Sequence, residues 1–380
     1  MYNYLNKIIN RTQVNNACAS CHQRNGRGKP NFEGEEPISL LLRISIPGSN
    51  PHGGPLEIPF FGGQLQNRAV FGSHSEGEIV INYEEQNVEL SDGEIVKLLK
   101  PNYSIVNTYI SLPSNVLISP RIAMPVFGLG LLEAISEQAI LANSDEFDSN
   151  ADGISGKPNY VWDKIDKITK IGRFGWKANE PTLLQQTADA FNQDMGITSF
   201  YLPNESSYGQ TQMDTFSNDP EINEQFTIAT AFYTRSLGVP ARRDVENEQV
   251  ISGKKLFIAS NCAKCHLTEI TTGNNYLIAA FNNQKIQPFT DLLLHDMGTG
   301  LADNRPDFVA NGQEWRTPPL WGIGLTQLVN GHTNFLHDGR ARNLQEAILW
   351  HGGEAEEAKN KYIKLTKMER QSILIFLQSL

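Results

Sequence analysis

The sequence predicts a mainly α chain in two domains: residues 1–240, enlarged by a β-hairpin and loop insertions, and residues 241–380. Three observations lead there. At 380 residues the chain exceeds the usual size of a single domain. Its four cysteines all fall in two copies of one pattern, Cys18-Ala-Ser-Cys21-His22 and Cys262-Ala-Lys-Cys265-His266, one towards each end. Apolar residues around the second copy recur at helical spacing.

The elements follow in order. Ile38 to Ile46 reads as a strand, and Glu78–Leu90 with Glu94–Val106, joined through Ser-Asp-Gly, as a hairpin. Helices are expected at Leu131–Ala142 and at Thr182–Met195, where Leu184, Ala188, Phe191 and Met195 share a face. Another should open with Asp219 as N-cap and Pro220 at the first position, closing at Gly238. The stretch Gly238–Arg243 is the expected boundary. Beyond it, Asp244 should cap a helix through Leu256 and Phe257 that leads to Cys262. Gly298 to Gly339 reads as loop. Asn343-Leu-Gln-Glu346 is a capping box for a helix bearing Leu344, Ala347, Ile348 and His351 on one stripe, ended by Gly352-Gly353. Thr366 and Glu369 form a second box, opening a helix whose Ile373, Phe376, Leu377 and Leu380 make one apolar face.

Cys-x-x-Cys-His is the attachment signature of c-type haem: the thiols add to the porphyrin vinyl groups and the histidine ligates iron. Zinc ribbons place their cysteine pairs about 15–20 residues apart, whereas these pairs lie at opposite ends of the chain. Two haems are expected, on Cys18, Cys21 and His22 and on Cys262, Cys265 and His266. A leading helix, the motif and a closing amphipathic helix are the cytochrome c plan, so both domains are expected to be cytochrome c-like haem domains.

Net charge is −10 with a pI near 5.4, which argues against nucleic acid and anionic membrane as partners and suits a basic redox protein. No run of 18 apolar residues occurs, so no membrane span is expected. Thioether attachment of haem takes place outside the bacterial cytoplasm, so the chain is expected in the periplasm or beyond. Residues 1–10 lack the apolar core of a signal peptide, so the leader is expected to be absent from this chain.

Long stretches carry a resemblance: CASCHQRNGRG (18–28), RIAMPVFGLGLLEAI (121–135), DSNADGISGKPN (148–159), GRFGWKA (172–178), DLLLHDMGTGLAD (291–303), EWRTPPLWGIGL (314–325) and FLHDGRARNLQEAILWHGGEA (335–355). Together they resemble the di-haem oxidoreductase family, described as peroxidases, over nearly the whole chain. More distantly the C-terminal part is similar to bacterial di-haem cytochrome c peroxidases and to the di-haem enzyme that matures tryptophan tryptophylquinone. In those relatives one haem is an open reaction centre and the other handles electrons.

The resemblance implies roles for particular residues. His351 stands where the peroxidases carry a methionine ligand, implying a bis-histidine second haem with His266. On spacing alone His351 is equally a helix-end residue bonding the last carbonyls. His295 and His337 are alternative ligands, and Arg316 and Arg340 are candidate propionate partners. For the first haem no ligand stands out: His52 and His74 lie in loops, and Met124 is as readily core. An open sixth position is therefore expected there.

Peroxide cleavage needs a base and a positive group. Glu133, a carboxylate inside an apolar run, and Arg121 are the candidates, with a structural ion pair as the alternative. Gly128 and Gly130 would let backbone approach a porphyrin. Trp176 is the candidate bridge between haems, with core packing as the alternative. Asp148, Asn150, Asp152, the Ile154 carbonyl and Asn159 match calcium-loop spacing, with a polar turn as the alternative. The expected function is peroxide reduction, or peroxide-driven oxidation of a partner, with electrons from a small redox protein. A non-catalytic di-haem electron carrier is the alternative, and a partner-modifying oxidase a third.

Overall fold

The computed structural model describes residues 12–30, 38–210, 213 and 218–380. The reading of residues 1–10 as lacking a leader falls outside them. The chain is 28% helical and 21% strand, so it is not mainly α, and a layout of two cytochrome c-like domains is not shown. The correction has a local cause. Six small antiparallel sheets form among the described residues, several of only two to four residues per strand. Pairs so short leave almost no period-2 pattern to read.

The hairpin forms as its alternation suggests, Glu78–Glu89 against Ile95–Val106, in unbroken register from Glu78 opposite Val106 to Glu89 opposite Ile95. Its base packs Ile79, Tyr103 and Ile105 against a cluster of Leu42, Ile44, Ile58, Phe61 and Leu65. Its far end inserts Leu90 and Leu98 into the largest core. There the tip is bound by Arg370, 2% exposed, which pairs with Asp92 at 2.7 Å and Glu94 at 3.4 Å.

Leu40–Ser49 lies between Pro55–Leu56 and Leu117–Ile122 in a three-stranded sheet. Alternation turns Leu40, Leu42 and Ile44 to one side, while Leu41 and Arg43 face the other.

Several helices depart from expectation. Leu131–Ala142 is split into Leu129–Glu133 and Glu137–Leu141, because Ser136 caps the second by accepting from Ala139 N. Leu183–Asp189 is α-helical and widens to a π-turn at Ala190–Asp194. The next helix runs Glu224–Ser236 with Asn223, not Asp219, as its N-cap. Glu248–Ala259 is capped by Asn247, not Asp244, whose φ is 49°.

Glu248–Ala259 crosses the closing helix Lys367–Ser379, which the Thr366–Glu369 capping box opens. Gly253 sits at the crossing, where a Cβ would lie 1.9 Å from Ser372 O. Phe257, Phe289 and Phe376 close round each other with ring centroids 5.3–6.4 Å apart. Burying each such ring contributes roughly 1.5–3 kcal/mol. The same core takes in Ile122 and Trp176, so residues from both ends of the chain meet in it.

Candidate functional site

One cavity of about 740 Å³ is lined by both cysteine motifs. In each motif the chain makes the same turn: His22 N donates to Cys18 O at 2.9 Å, and His266 N to Cys262 O at 3.0 Å. This repeated turn brings two thiols and a histidine to the cavity wall. All four cysteines are free thiols. Burial pushes Cys21 and Cys262 up to about 12, so both stay protonated at neutral pH.

Three cavity histidines share one hydrogen-bond pattern. Nδ1 of His22 bonds Met124 O at 2.6 Å, that of His266 bonds Phe289 O at 2.9 Å, and that of His351 bonds Ala347 O at 2.7 Å. A carbonyl accepts only from N–H, so Nδ1 carries the proton and the bare Nε2 is left for a metal. Burial lowers all three, His266 to about 4, keeping the rings neutral as ligation requires. His266 and His351 line the same cavity, and the charge of His351 is among those lowering His266.

The alternative ligands are held in different ways. His295 is held at both nitrogens, Nε2 by Asp291 at 2.8 Å and Nδ1 by Glu354 at 2.7 Å. His337 stacks on Trp315 at 3.8 Å and meets Trp176 edge-on at 6.5 Å. Met124 Sδ accepts from Arg316 Nη2 at 3.5 Å, and Met195 Sδ lies 3.7 Å from Cys18 Sγ. His52, away from the cavity, stacks on Trp162 at 4.1 Å.

Two arginines line the cavity without a direct ion pair among the described residues, although Asp291 bears on Arg316 and Asp338 on Arg27 from further off. Arg316, 3% exposed, bonds the carbonyls of Gly175 and Thr317 and the Met124 sulfur. Arg27, 9% exposed, bonds Leu336 O, lies 5.2 Å over the Trp176 ring and leaves its Nε without a partner. Burial depresses both to about 10. Arg340, by contrast, is committed to Asp338 at 2.8 Å and Gly300 O at 2.7 Å. A buried cation without a counter-charge costs several kcal/mol, roughly, unless an anion joins it. Haem propionates are such anions, and with the apolar walls, paired thiols and free Nε2 atoms they make the cavity fit two haems.

Trp176 stands between these arginines. Its Nε1 donates to Ile122 O at 2.9 Å, and its carbonyl accepts from Arg316 N at 2.9 Å. Arg27 lies in the basic Gly26-Arg27-Gly28 turn after His22, which the sequence marks as suited to a haem edge; nothing local marked the Trp315–His337 stack.

The candidate acid–base pair is not brought together. Glu133 lies outside the cavity lining and pairs with Arg235 at 2.7 Å, with further bonds from Tyr276 and Leu183 N. Burial alone would raise its pKa, but these partners hold it below the usual range. Arg121 does line the cavity, and pairs with Asp307 at 2.7 Å. The close approaches at Gly128 and Gly130 are to Trp321 and to Arg235 O, where added Cβ atoms would sit 2.5 and 2.3 Å away.

In the 148–154 loop the carboxylates bond their own backbone: Asp148 Oδ1 accepts from Asp152 N at 2.9 Å, and Asp152 Oδ1 from Ile154 N at 3.0 Å. Asn150 Oδ1 also accepts from Asp152 N, at 2.9 Å. Asn159 stands apart, fully buried and bonded to Lys177 O, Asp307 O and Val309 N. The loop meets the second motif where Asp152 pairs with Lys264 at 2.9 Å.

Compared with known proteins, the chain matches the family model described as "Di-haem oxidoreductase, putative peroxidase" over residues 6–380. No curated protein and no solved structure matches it.

Proposed function

The chain belongs to the di-haem oxidoreductase family, and on that premise we propose that it reduces peroxide, or uses peroxide to oxidise a partner, at the haem on Cys18, Cys21 and His22. The observation that carries this reading is the uneven supply of histidines. His351 carries a bare Nε2 in the cavity and its charge bears on His266, whereas among the described residues the charged group bearing on His22 is the Asp194 carboxylate. On this reading the second haem would take both His266 and His351, and the first would take His22 with its other position open.

When bound, the haems supply the redox chemistry of O–O cleavage and electron storage. The chain's own residues orient and insulate. Carbonyls of Met124, Phe289 and Ala347 fix the axial imidazoles in one tautomer. Arg27 and Arg316 would hold the propionates beside Trp176, the proposed path between haems. The electron donor would be a small redox protein, for which the net charge of −10 favours a basic partner. The place of action is the periplasm or cell exterior, where thioethers form. No helix among the described residues is long and apolar enough to cross a membrane. Calcium on Asp148, Asn150, Asp152 and the Ile154 carbonyl, without the buried Asn159, belongs to the same reading. It would compete with Lys264 for Asp152, so chelation is expected to perturb the spectrum of the second haem.

Visible spectra of the ferric holoprotein test this function. A high-spin component that shifts with cyanide and with peroxide is expected. The electron-carrier alternative draws on Met124 and Met195, whose thioethers line the first end of the cavity. Two inert low-spin irons in every redox state would establish it instead.

A further inference from the structure

The cavity wall near the first motif carries charge that haem anchoring does not use. Arg43 and Arg121 come from neighbouring strands, where Leu41 pairs with Arg121 and Arg43 with Ser119, and both arginines line the cavity. Asn179 also lines it and links two groups: its Oδ1 accepts from Arg121 Nη1 at 3.1 Å, while its Nδ2 donates to Glu180 Oε1 at 3.1 Å. Behind it, Glu180 Oε2 accepts from Gln185 Nε2 at 2.9 Å.

Glu180 is 5% exposed, and its side-chain hydrogen bonds among the described residues come only from neutral amides. Its charged surroundings are Asp189, Lys164 and Arg43, with Lys164 already bound to Asp189 at 2.5 Å. Burial outweighs the two cations, and Asp189 adds to it, so the carboxyl sits well above the usual range. Glu133, with a bonded arginine, is held in the opposite state. Glu76 is raised to a similar degree, but lies away from the cavity between Gln66 N and Gln210.

We propose that Glu180 is the proton store for the first haem's open face, acting through Asn179, with Arg43 facing the negative charge that develops there. This rests on the peroxidase reading above. Peroxide, two electrons from a one-electron donor protein and two protons give two waters. Glu180 supplies one proton when the Asn179 amide swings aside and cavity water reaches it. Solvent supplies the other and reprotonates Glu180 between turnovers, and Arg43 is placed to stabilise the transient carboxylate. Glu180 is a positioning and proton-supplying residue here, since Asn179 stands between it and the oxidant.

The test compares wild-type holoprotein with Glu180→Gln, Glu180→Asp and Glu76→Gln. Peroxide-dependent oxidation of a chemical reductant is followed against pH, and buried carboxyl bands are followed by infrared difference spectroscopy. Glu180→Gln should lower the peroxide rate roughly a hundredfold or more, remove the alkaline limb of the pH profile and delete one protonated-carboxyl band. Glu180→Asp should keep a titrating limb. Glu76→Gln should delete a different band and leave the rate within about twofold, a change too small to involve proton transfer. A Glu180→Gln protein with wild-type rate and pH profile, beside a normal high-spin signal, would overturn the role of Glu180 alone. Absence of any high-spin signal would overturn the peroxidase reading and this role with it.

Discussion

Arg27 and Arg316 have opposite consequences in the empty and loaded chain. Without haem, each is a buried cation lacking a directly bonded carboxylate, so Arg316→Gln should leave the haem-free chain as stable or more stable to denaturant. With haem, loss of the positive charge should lower a haem midpoint potential in a redox titration. His351→Met should act the other way on the second haem, raising its potential and adding a methionine-to-iron charge-transfer band. Asp338 gives a pH dependence. Burial would raise its pKa, but Arg340 and His337 hold it at about 2, below the ordinary value of 3.8. Its stabilisation is therefore present above pH 4 and lost as pH falls towards 2, a contribution of about 2 kcal/mol. Denaturant unfolding of Asp338→Asn should show a smaller loss over that window than wild type. The motif histidines and the basic turn holding Arg27 were legible as residues; that Arg27 makes no direct ion pair was not, because that is visible only once its neighbours are placed.

Among the elements, the hairpin and the crossing helices join distant parts of the chain. Leu90, 2% exposed at the hairpin's far end, packs in a core built mostly from residues beyond 240. Leu90→Ala should cost about 2–4 kcal/mol, read as a lower denaturation midpoint. Gly253→Ala would drive a methyl into Ser372 O and should cost about 1–3 kcal/mol by forcing the helices apart. The hairpin itself was legible from its strand pattern and Ser-Asp-Gly turn, and the closing helix from its capping box. The destination of the hairpin was not, since Leu90 and Leu98 gain partners only from the far end of the sequence. Helix starts went astray at Asp219 and Asp244 because nearby asparagines, Asn223 and Asn247, took the caps. Several side chains in one stretch were capable of capping, and tertiary packing chose between them.

At the scale of the molecule, two motifs from opposite ends of the sequence line one cavity, and the sequence disclosed the motifs but not their meeting. The mainly α expectation came from the helices round the second motif. The remaining chain spends its residues on short strand pairs and turns, whose arrangement no periodicity records. On the proposed reading the apparent symmetry of the motifs becomes a difference: His266 is to share its iron with His351, whereas the cavity that His22 lines offers Met124, Met195, Arg43 and Asn179. That difference is the centre of the account. Electron paramagnetic resonance of the ferric holoprotein tests it most directly. One high-spin and one bis-histidine low-spin haem per chain are expected, with the low-spin signal lost in His351→Ala and the high-spin signal kept. Two low-spin haems, or a low-spin signal indifferent to His351, would contradict it.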